Sequence, residues 1–128
     1  MRTIGDIMAT ELVTFTPETS IHDAIHVLLE RRISGAPVVD EAGKLVGVLS
    51  KKDCLKIVFS TSYHGDRGGP VSEFMSAPVE TLDPDLDLAS AALHFLESHF
   101  RRFPVLRDGR LVGQVSRCDI LKALHAGT

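Results

Sequence analysis

Most of this chain is written twice. Met8-Ala9 recurs as Met75-Ser76, Thr14 as Thr81, Pro17 as Pro84, Ala24 as Ala91, Leu29-Glu30 as Leu96-Glu97 and Pro37-Val38 as Pro104-Val105, all at an offset of 67 residues. Beside Ala42 one residue drops out and the offset becomes 66. Gly43-Lys44-Leu45-Val46-Gly47 then matches Gly109-Arg110-Leu111-Val112-Gly113, and Ser50-Lys51-Lys52-Asp53 matches Ser116-Arg117-Cys118-Asp119. A single gap in over fifty aligned positions establishes a duplication. A repeat constrains the fold more than any isolated motif, because each copy is one structural unit that cannot bury its apolar face alone.

Both copies carry the same local signals. Leu12-Val13-Thr14-Phe15 reads as a short strand closed by Pro17. Ser20 stands at a helix N-cap position, followed by Ile21, Ala24, Ile25, Leu28 and Leu29 at the spacing of one buried helical face. In the second copy Asp87 is the cap, and Leu88, Ala91, Ala92, Phe95 and Leu96 form the stripe. Plain core packing accounts for both stripes. Two strands follow, Ala36-Pro37-Val38-Val39 and Leu45-Val46-Gly47-Val48-Leu49, joined through Asp40-Glu41-Ala42-Gly43. Their equivalents, Val105-Leu106 and Leu111-Val112, flank Asp108-Gly109, a hairpin signal because both central residues must tolerate positive φ. A second helix starts at Ser50 or Ser116. Each unit is thus β-α-β-β-α, with the first copy at residues 1–58 and the second at 71–128. The intervening 59–70, rich in glycine and ending in Pro70, reads as a connecting loop.

With 128 residues, 44% hydrophobic and 24% charged, the chain has the composition of a globular protein. No apolar run approaches the ~20 residues of a membrane span, and no signal-peptide core follows Met1, so the cytoplasm is the expected location. A net charge of −3 argues against nucleic acid as a partner, since that binding rests on neutralising many phosphates. Cys54 and Cys118 make no disulfide framework and are expected to be reduced and buried. Six histidines include His22 and His26 four apart on a helix, but no cysteine or carboxylate completes a metal set. Neither a glycine-rich phosphate loop nor a Ser/His/Asp context is present, and the chain is expected not to be an enzyme.

Together, Asp6-Ile7-Met8, Val13-Thr14 before Pro17, Pro37-Val38-Val39-Asp40, Gly43-Lys44-Leu45-Val46-Gly47 and Ser50-x-x-Asp53 resemble a cystathionine-β-synthase (CBS) domain. Phe103-Pro104-Val105, Gly109-Arg110-Leu111-Val112-Gly113 and Ser116-x-x-Asp119 resemble a second. The resemblance implies an α/β (α+β) fold of two units packed sheet to sheet with pseudo-twofold symmetry. It also implies a homodimer of such modules, and clefts for an adenosine-containing regulatory ligand: AMP, ADP, ATP or S-adenosylmethionine. No cofactor is required, and the effector would be a separate protein.

Each Ser-x-x-Asp has two readings. Serine followed by an acid three positions on is a helix cap. A helix N-terminus also suits a phosphate, and a carboxylate accepts two hydrogen bonds from neighbouring ribose hydroxyls. By the resemblance, Ser116 and Asp119 face Thr10, Ile33, Ser34 and Ala36, while Ser50 and Asp53 face Ala77, Phe100, Arg101 and Phe103. Ile33 or Phe100 would wall the adenine, although simple core packing explains them equally. Arg101 and Arg102 are the candidate phosphate contacts. Lys51, Lys52 and Arg117, at helix starts, gain nothing from the helix dipole and also point to an anion. Ser34-Gly35 in one copy against Arg101-Arg102 in the other predicts unequal clefts, with more room for a base beside Asp119. Two functions stay open: a nucleotide sensor of energy state acting on a partner, and a ligand-independent dimerisation scaffold.

Overall fold

The computed structural model describes residues 2–64, 68–77 and 80–126. In chain order these form helices α1 (Ile4–Ile7) and α2 (Ile21–Arg31), strands β1 (Gly35–Val39) and β2 (Leu45–Ser50), and helix α3 (Lys51–His64). A 3-10 turn (Val71–Glu73), helix α4 (Leu88–Glu97), strands β3 (Arg102–Arg107) and β4 (Arg110–Ser116), and helix α5 (Arg117–Ala126) follow. The class is α+β: β1 pairs antiparallel with β2, and β3 with β4. The turn chemistry is as the sequence requires. Asp108 and Gly109 both take positive φ (53° and 80°), and the longer first hairpin turns at Gly43 (φ 82°). The Asp40 carboxylate supports that longer turn, accepting from Ala42 N at 2.9 Å and Lys44 N at 3.0 Å.

Two compact units result, and they do not follow the copies. One is Val13–Pro78, which contains Asp53; the other is Met1–Leu12 together with Val79–Thr128, which contains Asp119. The leading segment of each copy therefore packs with the hairpin of the other. Ile4, fully buried, joins Phe103, Val105 and Val115 in the core of the Asp119 unit. Its equivalent Val71, also fully buried, joins Phe15, Val38 and Leu49 in the Asp53 unit. Reciprocal backbone hydrogen bonds fasten each segment, Ala9 to Gln114 (2.9 Å both ways) and Ser76 to Val48 (2.9 Å both ways). Glycine makes this approach possible. A Cβ on Gly47 would lie 2.5 Å from Met75 Sδ and 3.2 Å from Ser76 O; one on Gly113 would run into Met8 Sδ and stand 2.9 Å from Ala9 O.

Several local expectations change. The first strand of each copy shrinks to a single parallel bridge, Phe15 to Val38 and Leu82 to Val105, because only one residue meets the hairpin edge. Helix α3 continues through Phe59 to His64, where a loop was expected; nothing between Phe59 and His64 breaks a helix. The Gly65-Asp66-Arg67 part of that loop lies outside the described residues. Asp87 caps α4 with its carboxylate accepting from Ser90 N at 3.2 Å. Ser20 occupies the cap position of α2 without a side-chain bond. Leu29 and Leu96 fall out of the buried stripes, at 62% and 82% exposed. Eight residues along a helix is about 80° of rotation, so the last member of each stripe lies at its rim. Cys54 is buried as expected, but Cys118 is exposed, because position 118 faces outward in the first turn of α5. The described residues include no helix long and apolar enough to cross a membrane.

Because a backbone oxygen yields less readily than a methionine tip, Gly113→Ala is expected to destabilise the protein by about 1–3 kcal/mol and Gly47→Ala by less. Urea unfolding of the two variants beside the parent measures both.

Candidate functional site

At the corner where β2 becomes α3, the Ser50 N–H donates to Asp53 Oδ2 at 3.0 Å and the Asp53 N–H donates to Ser50 Oγ at 3.0 Å. Where β4 becomes α5, the Ser116 N–H donates to Asp119 Oδ2 at 2.9 Å and the Asp119 N–H to Ser116 Oγ at 3.1 Å. Both motifs are thus reciprocal capping turns. The loop entering each hairpin is tied to the same corner: the Lys51 N–H donates to Ser34 O at 2.9 Å, and the Arg117 N–H to Arg101 O at 3.0 Å.

Residue by residue, the Asp53 unit gathers Ser50, Asp53, Ile33, Ser34 and Ala36, with Ala77 next to the Ser76 bridge. The Asp119 unit gathers Ser116, Asp119, Phe100, Arg101, Arg102 and Phe103, with Thr10 next to the Ala9 bridge. The expected sets, Asp119 with Ile33, Ser34 and Ala36, and Asp53 with Phe100, Arg101 and Phe103, join residues of different units. Ser34, Thr10, Ala77, Arg101 and Arg102 are exposed. The side chains of Ala36 and Phe103 belong to the cores, at 2% and 1% exposed. Phe103 packs on Phe95, centroids 4.7 Å apart, and meets the edge of Phe100 at 5.5 Å. Phe100 is 37% exposed and its carbonyl accepts from Arg117 Nε at 3.0 Å, so Arg117 braces this loop.

The two carboxylates differ in their second oxygen. Asp53 Oδ1 accepts from Ser76 Oγ at 3.0 Å and pairs with Lys56 Nζ at 3.2 Å, and Asp53 is only 7% exposed. Asp119 is half-buried, and among the described residues its Oδ1 receives no hydrogen bond. Ser76 and Lys56 carry no family motif, and sequence reasoning missed them. The signal was a mismatch inside the repeat, Ser76 against Ala9, at matching bridge positions. Burial works against the charged form of Asp53, but the bonds from Ser50, Ser76 and Lys56 outweigh it and hold its carboxyl below the usual range. Burial, then the Asp53 charge, pushes the neighbouring Cys54 thiol up. A surface depression of about 390 Å³ lined by Thr16, Pro17, Glu18, Asp40, Glu41 and Ala42 contains none of the predicted site residues.

The CBS domain family matches the chain twice, over residues 4–60 and 71–126. The chain belongs to the CBS-domain family. CBS domain-containing protein YhcV of Bacillus subtilis is 31% identical over 94% of this chain and 84% of its own length. The A-adding tRNA nucleotidyltransferase of Aquifex aeolicus is 37% identical, but this chain spans only 14% of it, and 14% of the corresponding Geobacter sulfurreducens enzyme. The structure of the CBS-pair protein CBSX2 of Arabidopsis thaliana in complex with AMP matches with a TM-score of 0.83 at 32% identity, covering both chains completely. The CBS domain pair of MJ0100, in complex with 5′-methylthioadenosine and S-adenosyl-L-methionine, matches with a TM-score of 0.76 at 26% identity over 100% of this chain and 99% of that one.

A carboxyl with a lowered folded-state pKa adds stability that is complete above its unfolded value of about 3.9 and lost as pH falls through the folded value. Asp53→Asn should therefore cost about 1.5–3 kcal/mol near pH 6, the range for hydrogen bonds to a charged group, and the difference should shrink below about pH 4. Asp6 and Asp87, whose carboxyls are lowered by bonds from Thr3 and Ser90, remain in both proteins. Urea midpoints of parent and variant between pH 3 and 7 thus isolate Asp53.

Proposed function

We propose that this chain is a CBS-pair regulatory module that binds an adenosine-containing nucleotide and passes the change to a partner protein. The observation that carries the reading is the Asp119 carboxylate. Its capping bond uses one oxygen and leaves the other at the mouth of a helix, where neighbouring ribose hydroxyls can donate to it. The first-turn N–H groups of α5, with exposed Arg101 and Arg102 at the start of β3, supply positive potential for a phosphate. Phe103, buried as a side chain, would offer a base its strand backbone. AMP, ADP, ATP and S-adenosylmethionine share the adenosine this arrangement recognises. The bound AMP of CBSX2 and the S-adenosylmethionine of MJ0100 support the class. The role is regulatory rather than catalytic, and the cytoplasm is its proposed location.

Self-association belongs to the same reading. Exposed leucines recur at equivalent places, Leu29 with Leu96 and Leu55 with Leu121, and Phe59 (69% exposed) and Leu124 (40% exposed) extend the apolar faces of α3 and α5. Unburied apolar surface repeated at matched positions fits a second copy of the chain. Leu55→Glu combined with Leu121→Glu should shift the protein from dimer to monomer mass in light scattering, with its circular dichroism unchanged.

In a thermal-shift series, AMP, ADP, ATP or S-adenosylmethionine at about 100 times its dissociation constant should stabilise the fold by about 2.7 kcal/mol, which is several degrees. The matching 2′-deoxynucleotide should bind about tenfold more weakly, because it loses one of the two bonds to the carboxylate. No response to any of the four at millimolar concentration would favour the ligand-independent scaffold.

A further inference from the structure

Resting on the nucleotide reading, we infer that Asp119 alone takes a ribose diol, because Asp53 is already occupied from within the chain by Ser76 and Lys56. The module then binds one nucleotide per chain. The two corners are matched atom for atom as far as the caps extend, so the difference lies in what the cap leaves over. At the Asp53 corner the second oxygen is held by the Ser76 hydroxyl at 3.0 Å and the Lys56 ammonium at 3.2 Å. The Ser76 backbone is held in place, its N–H and C=O both bonded to Val48 at 2.9 Å, which keeps the hydroxyl within reach of Asp53. A diol arriving at Asp53 would have to displace a bonded hydroxyl and a cation from a buried carboxylate, which gains nothing in hydrogen-bond number.

At the Asp119 corner the same bridge position is filled by Ala9, whose backbone is bonded to Gln114 in the same way but whose side chain is a methyl group. Lys122, the equivalent of Lys56, forms no ion pair among the described residues, and Asp119 is more exposed than Asp53. The first residues of β1 and β3 differ in the same sense. Gly35 sits so close to β2 that a Cβ would lie 2.8 Å from Leu49 O, whereas its counterpart Arg102 carries a full side chain outward. The Asp119 corner therefore combines an available acceptor with nearby cations, the chemistry of a ribonucleoside 5′-phosphate.

Two exchanges test this. Ser76→Ala gives the Asp53 corner the residue set of the other, and Ala9→Ser places a hydroxyl beside Asp119. Both positions are exposed, so both variants should fold, which their thermal unfolding checks. Calorimetry with AMP should give one site per chain in the parent and two in Ser76→Ala. Ala9→Ser should weaken the parent's site by about tenfold, and Asp119→Asn should weaken it at least as much. Two sites per chain in the parent, or undiminished affinity in Asp119→Asn, would overturn the inference while leaving nucleotide binding intact. Absence of binding to AMP, ATP and S-adenosylmethionine by both the parent and Ser76→Ala overturns the nucleotide reading together with this inference.

Discussion

A carboxylate has two oxygens, and the Ser-x-x-Asp turn needs only one of them. In both units that one bond sets the corner between a strand and a helix, and the corner in turn anchors the loop that enters the hairpin, through Lys51 to Ser34 and Arg117 to Arg101. Strand end, helix start and entry loop converge on the same few atoms. A capping turn of this kind is worth about 1 kcal/mol. Its larger consequence is geometric, because it fixes where the remaining oxygen of Asp53 or Asp119 points before any ligand is present.

What that remaining oxygen meets is decided by a segment distant in sequence. Residues 71–77 lie with the hairpin of the first copy and residues 2–12 with that of the second, and each brings one bridge residue, Ser76 or Ala9, alongside β2 or β4. Gly47 and Gly113 permit the approach, since a Cβ at either place would strike the methionine preceding the bridge residue. Backbone pairing makes the two arrangements equivalent, so a single side chain on each arriving segment sets the chemistry. A serine satisfies the carboxylate and an alanine does not.

The repeat made the hairpins, the helix stripes, the Asp87 cap and the two Ser-x-x-Asp corners legible, because each depends on residues close in sequence with a defined spacing. Less was legible where a long-range partner decides. Leu12 to Phe15 has strand character, yet only Phe15 meets an edge, so the strand reduces to one bridge. The glycines near 65–69 suggested a loop from residue 59, but glycines act only where they stand and the helix reaches His64. Phe100 read equally as ring wall or core; it is 37% exposed and rests its ring against the buried Phe103, a fact of packing that no motif carries. Contacts between Asp53 and Ser76, 23 positions apart, were beyond any local pattern.

Retention of both Ser-x-x-Asp motifs looks like a sign that both corners bind ligand, and the geometry removes that force. Replacing either aspartate breaks a cap whether or not a nucleotide ever visits, so the fold alone is sufficient reason for both to be present. The informative position is instead the bridge residue, 9 or 76, which has no part in the cap and whose backbone bonds are indifferent to its side chain. A hydroxyl there turns the corner into a closed structural element. A methyl leaves one carboxylate oxygen without a hydrogen bond among the described residues, and it is on that unused acceptor, which the cap does not need, that the proposed nucleotide site rests.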